Sequence, residues 1–128
     1  MADPPDQVMR RYCVAWQQGD FATVVATWAD DIVAHVPGRS WFSGTYTGKP
    51  AVIDASLRIQ KHAPRYPVGI HDYLVSGEHG VVLARERAVR NEEVLEVNRI
   101  YVFHMAVGKI AELWVYEYDQ DAVDRFYS

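Results

Sequence analysis

Four stretches between residues 67 and 118 alternate apolar and polar side chains with period two, and only short turns separate them. Such a run reads as strands of a meander, roughly 67–76, 80–91, 94–105 and 109–118. Short connections force antiparallel neighbours, because a parallel pair needs a long crossover. A chain carrying this block is therefore built on one antiparallel sheet, and everything before residue 67 must cover one face of it.

The preceding third is suited to that task. Val8, Met9, Tyr12, Cys13 and Trp16 recur at helical spacing over residues 5–18. Gly19 stops that helix and Asp20 caps a second, with Phe21, Val24, Val25 and Trp28 on one face. Ile32 to Pro37 reads as a strand. Residues 38–48 form a Gly/Ser-rich loop that carries Trp41, Phe42 and Tyr46, either as a flap over a site or packed back on the body. Pro50 suits the first turn of a third helix with Val52, Ile53 and Leu57 inward, and Pro64 ends it. Asp119 can cap a short last helix ending at Phe126. The expected fold is α+β, a single domain over residues 1–128 with helices on one side of a bent sheet.

Turn chemistry assigns faces. A turn at Glu92-Glu93 sets Ala88 against Val97, Glu86 against Arg99 and Ala84 against Tyr101. A turn at Val107-Gly108 sets Phe103 against Glu112, Tyr101 against Trp114 and Arg99 against Tyr116. One face then carries Glu86, Arg99, Tyr101, Phe103, Trp114 and Tyr116, and the small Ala84 and Ala88 leave room above it. A cavity with Arg99 flanked by Glu86 and Tyr116 is expected; a surface salt bridge is the plainer alternative. The other face mixes Arg85, Arg87, Glu96, Asn98 and His104 with Leu83, Ile100 and Val102. It reads as half-exposed and suited to a sheet-to-sheet dimer contact.

Composition narrows the function. A net charge of −4 with no clustered Lys/Arg run argues against nucleic acid. No apolar run is long enough to span a bilayer, and the first residues lack signal-peptide shape. Cys13 is the only cysteine, which favours a reducing cytoplasm. The histidines lack paired spacing for a metal, so no metal is expected.

The order Tyr12…Trp16…Gly19-Asp20-Phe21, Trp28-Ala-Asp-Asp31, His35-Val-Pro37, Gly44…Gly48-Lys-Pro-Ala-Val52 and Gly108-Lys-Ile…Asp119 resembles the SnoaL-like branch of the nuclear-transport-factor-2-like superfamily. The resemblance covers nearly the whole chain. It implies a cone-shaped, cystatin-like α+β barrel with an internal pocket, and often a homodimer. It also implies cofactor-independent chemistry: polyketide cyclisation, ketosteroid isomerisation, dehydration or limonene-type epoxide hydrolysis.

The match places Tyr12 at the oxyanion-stabilising tyrosine of the isomerases, and Val36 at their general-base aspartate. The Asp-Arg-Asp set of the epoxide hydrolases falls on Ala88, Glu86 and a position at or beside Tyr116, so that set is missing. Counting the last strand back from Asp119 instead of forward from Gly108 shifts it by one residue. The hairpin pairing favours Trp114 and Tyr116 inward. The reading is therefore a cyclase or isomerase acting on a hydrophobic, oxygenated small molecule. His35 and Glu86 are the acid/base candidates, with Arg99 and Tyr116 steadying negative charge. Tyr12, Trp16, Tyr101, Phe103, Trp114 and Tyr118 are the expected substrate-binding surface. Epoxide opening, or ligand binding without catalysis, is the alternative.

Overall fold

The computed structural model describes residues 2–128. Its elements run α1 Pro5–Gln18, α2 Phe21–Ala26, β1 Trp28–Val36, β2 Gly44–Thr47, α3 Lys49–His62, β3 Arg65–Ser76, β4 His79–Arg90, β5 Glu93–Ala106, β6 Lys109–Glu117 and α4 Gln120–Phe126. The strands form one sheet in the order β2-β1-β6-β5-β4-β3, with two free edges, so it does not close into a barrel. Every pairing is antiparallel except β1 with β6.

Local signals explain the element ends. Gly19 takes a left-handed φ of 69° and closes α1. The Asp20 side chain accepts from the Thr23 amide at the start of α2, and Asp119 does the same for Ala122 at α4. Two elements depart from the sequence expectation. Trp28 opens β1 rather than ending α2, and the 38–48 loop contains strand β2, whose Thr45 pairs with His35.

Helix α1 lies on the sheet and buries Val8, Met9, Tyr12 and Cys13 against Val82, Phe103, Met105 and Ile110. Fully burying each such side chain is worth about 1.5–3 kcal/mol. Gly80 makes the contact possible: a Cβ there would lie 2.5 Å from the Met9 sulfur. A second cluster joins Phe42, Ile59, Ala63, Ala88, Val123 and Tyr127, tying α3 and α4 to the far end of the sheet. Leu57, expected inward, is 55% exposed; Val52, Ala55 and Ile59 form the buried stripe of α3 instead.

The two hairpins differ from the expected register in different ways. The first turn sits at Asn91-Glu92, with φ of 50° and 71°, one residue earlier than expected. Pairings therefore shift by two, to Ala88 with Leu95, Glu86 with Val97 and Ala84 with Arg99. An even shift keeps every side chain on its face. The second turn is at Val107-Gly108 as expected, but β6 carries a bulge at Ala111. Beyond it Phe103 pairs with Leu113, Tyr101 with Val115 and Arg99 with Glu117. One extra residue reverses the faces, so Leu113, Val115 and Glu117 point inward and Trp114 and Tyr116 outward.

Candidate active site

A cavity of about 390 Å³ lies between the concave face of the sheet and the helices. Trp16 of α1, Val24 of α2, Phe42 of the connecting loop and Leu113 and Val115 of β6 give it apolar walls. Its polar end is built by four strands, each contributing a charged group from a terminal or central inward position: Arg65, Glu86, Arg99 and Glu117.

Arg99 is the hub and is only 7% exposed. Its Nε and Nη2 donate to the two carboxylate oxygens of Glu117, the latter at 3.0 Å. Its Nη1 donates to Glu86 Oε1 and, at 3.4 Å, to the Tyr101 hydroxyl. Arg65 Nη1 approaches the same Glu86 oxygen at 3.6 Å. Both cationic contacts of Glu86 thus fall on Oε1, and Oε2 has no hydrogen-bond or ion-pair partner among the described residues. The opposite signs balance within the cluster, which is what allows ions to persist at such burial.

The environment sets the proton affinities. Burial alone raises that of Glu86, but Arg65 and Arg99 outweigh it and hold the carboxyl below its ordinary value. Tyr12 is held well above its usual range, first by burial and then by neighbouring Tyr101, Cys13 and Glu86. Tyr101 is likewise raised by burial, although Arg99 opposes the shift. The two phenols are therefore proton-bearing donors beside an ionised carboxylate. Their rings stand edge to face with centroids 6.3 Å apart, and Tyr12 packs on Phe103 at 4.8 Å. Cys13 is buried, and burial pushes its thiol up to about 12, so it is not an available nucleophile.

Of the residues expected from sequence, the structure brings Glu86, Arg99, Tyr12, Trp16 and Tyr101 to the cavity. Phe103 is fully buried behind it, in the core under α1. His35, Trp114, Tyr116 and Tyr118 lie elsewhere. His35 sits beside Trp114 on parallel strands, and both project from the outer face, because Ala34 and Val36 take the inward positions. There the His35 ring stacks on Trp114 at 5.5 Å, and its Nε2 meets Glu112 Oε2 at 2.5 Å. Tyr116 is 53% exposed and Tyr118 is 88% exposed. The bulge at Ala111 moves Trp114 and Tyr116 out, and Tyr118, whose amide still donates to Asn98 O at 3.0 Å, follows them on the same outer face. Glu117 takes the place expected for Tyr116. Arg65 and Tyr127 were not foreseen either. Counting back from Asp119 was the one sequence signal for Glu117.

The 37–43 segment closes one side of the cavity and is fastened to α4. Asp124 accepts from the Arg39 amide at 3.1 Å, from Ser40 Oγ at 3.0 Å and from Gln120 Nε2 at 3.0 Å. Phe42 then packs edge to face on Tyr127 at 4.9 Å. Of the two readings of this loop, the packed one describes the structure.

A profile of the SnoaL-like domain matches residues 9–113. The chain belongs to the SnoaL-like family. An uncharacterised protein of Mycobacterium tuberculosis is 27% identical over 131 residues, covering 100% of both chains. A protein of unknown function with a cystatin-like fold from Xanthomonas campestris superposes with a TM-score of 0.90 at 24% identity, over 98% of this chain and 99% of that one. A Mesorhizobium loti protein provisionally assigned as a SnoaL-like polyketide cyclase superposes with a TM-score of 0.78 at 18% identity, over 89% and 99%. These structural likenesses establish the α+β, nuclear-transport-factor-2-like fold of the SnoaL-like chain. No helix among its described residues is long and apolar enough to cross a membrane.

Proposed function

We propose that this SnoaL-like protein is a cofactor-independent acid/base enzyme, a cyclase or isomerase, acting on a hydrophobic, oxygenated small molecule. The observation that carries the reading is the division of labour around Arg99. Glu117 engages Arg99 with both oxygens, whereas Glu86 keeps Oε2 without a partner among the described residues at the floor of an apolar cavity. Glu86 Oε2 is then the base, and Glu117 positions Arg99.

The step follows from ordinary carbonyl chemistry. Glu86 Oε2 takes a proton from the carbon next to a substrate carbonyl, and the electron pair moves onto the carbonyl oxygen as an enolate. Tyr101, whose oxygen accepts from Arg99 Nη1 and whose own proton stays free, donates to that enolate, with Tyr12 beside it. Glu86 then returns the proton to another carbon, which is isomerisation. Alternatively, the enolate carbon attacks an internal carbonyl and Glu86 protonates the new alkoxide, which is cyclisation. Family membership and the provisional assignment of the Mesorhizobium neighbour support this class.

Deuterium exchange into a panel of hydrophobic enones and 1,3-diketones, followed by NMR, tests the reading without a known substrate. Wild type should accelerate exchange, Glu86→Gln should lose about a hundredfold or more of that rate, and His35→Ala, outside the cavity, should keep it. Absence of any exchange above buffer sinks the proposal.

A second reading is favoured by the carboxylate–arginine–carboxylate set, in which Glu86, Arg99 and Glu117 give the charge pattern of the epoxide hydrolases' Asp-Arg-Asp set with glutamates at other positions. Glu86 would deprotonate a water that opens the epoxide, with Tyr101 protonating the leaving oxygen. Incorporation of labelled oxygen from water into limonene oxide would select it. The outer sheet face, where Trp114, Tyr116 and Ile100 are grouped, supports a homodimer as the working assembly, which sedimentation velocity tests.

A further inference from the structure

We propose that the Arg65 end of the cavity is an anion subsite, so that the ligand is an apolar molecule bearing a carboxylate or a comparably acidic enol oxygen. The proposal rests on the cavity being the ligand site, as above, and adds the charge of what enters it.

Arg65 and Arg99 are unequal partners of the same carboxylates. Arg99 spends its donors on Glu117, Glu86 and Tyr101. The Arg65 guanidinium makes no hydrogen bond among the described residues. Its one charge contact in the cluster is the 3.6 Å approach to Glu86 Oε1, an oxygen that already accepts from Arg99. Its Nε is buried without a partner. A largely buried guanidinium with empty donors is costly, and in folded proteins such donors are nearly always filled.

The side chain is nevertheless held in place. Arg65 is the first residue of β3, opposite Ala88, whose methyl leaves space over the strand. The Arg65 amide donates to Gln60 Oε1 at 3.1 Å, which fixes the backbone at the end of α3. Tyr127 lines the same end of the cavity, and its hydroxyl is also buried without a partner. An anionic oxygen seated there would give Arg65 the partner that Glu86 supplies only at long range. The fork of a guanidinium matches a carboxylate or enolate better than it matches a neutral carbonyl.

The test is a matched pair of ligands, 2-naphthoate and 2-naphthamide, titrated calorimetrically against the full chain at pH 7. The acid should bind about tenfold or more tighter than the amide. Arg65→Gln should abolish that preference. The Nε–H resonance of Arg65, read in wild type labelled at arginine, should move on saturation with naphthoate and stay with naphthamide, a result that does not depend on the variant folding. Equal affinities, no binding of either compound, a preference that survives Arg65→Gln, or an unmoved Arg65 resonance would each overturn the subsite. A charge preference without deuterium exchange into any ketone rejects the catalytic reading and leaves the subsite standing. Exchange into neutral ketones without a charge preference does the reverse.

Discussion

Arg99 binds Glu117 side-on, Nε to one carboxylate oxygen and Nη2 to the other at 3.0 Å, and this places Nη1 at Glu86. Removing the hub strands two carboxylates in a dry site. Arg99→Met is expected to cost about 3–5 kcal/mol in urea denaturation, because the penalty is that of uncompensated buried charge. The triple variant Glu86→Gln, Arg99→Met, Glu117→Gln should recover much of that loss. A single variant no less stable than wild type would show that the cluster is solvated.

The acid limb of stability follows from Glu86. Its folded-state proton affinity is depressed despite burial, because Arg65 and Arg99 face it. A carboxyl in the unfolded chain titrates near about 4.3. The native state therefore gives up this proton more readily than the unfolded one. The contribution is complete above the unfolded value and is lost as pH falls through the folded one. Urea midpoints between pH 7 and pH 3 should show wild type falling toward Glu86→Gln as the medium passes below the unfolded value. A gap that stays constant with pH contradicts the assignment.

At the alkaline end the buried phenols act with the opposite sign. Tyr12, Tyr101 and Tyr127 are all raised, burial being the largest cause in each. The folded chain holds these protons above the unfolded value of about 10, so their share of stability is full below that value and is lost as pH rises past it. Absorbance at 295 nm, compared between wild type and each Phe variant, should show their ionisation only together with the loss of far-UV ellipticity. Reversible ionisation in the folded state would mean that water reaches the cavity floor.

Asp124 fastens the loop that carries Phe42. Replacing it with Ala removes the acceptor for Arg39, Ser40 and Gln120 at once. Amide hydrogen exchange should quicken across residues 38–43 and stay unchanged in the β4–β5 hairpin. Equal exchange in both forms would show that Phe42 and Tyr127 hold the loop without the carboxylate.

The meander, the helix stripes and the caps were legible because they are local, each resting on period, turn residue or spacing. The site was legible only as far as face parity survived. Glu86 and Arg99 kept their face since the first turn moved the register by an even number, while His35, Trp114 and Tyr116 did not come out as expected. Ala111 is the reason for the latter two. An extra residue that is alanine, with no glycine to mark it, carries no signature of a bulge, yet it exchanges Tyr116 for Glu117 at the polar end. Arg65 was missed because β3 begins two residues earlier than its alternation suggests.

The place of β6 in the sheet also decides when the cavity can exist. It lies between β1 and β5, so strands from the first and the last thirds of the chain meet only through it. Until β6 inserts, β1 and β2 are a detached ribbon beside the meander, and Arg99 has only one of its two acidic partners. The polar end is thus built by contacts between successive strands, whereas the wall that β1 supplies is joined to it by long-range contacts, which are slow to form. Insertion of β6 therefore does two things in one step: it gives Arg99 its second carboxylate, and it joins the wall of β1 to the meander.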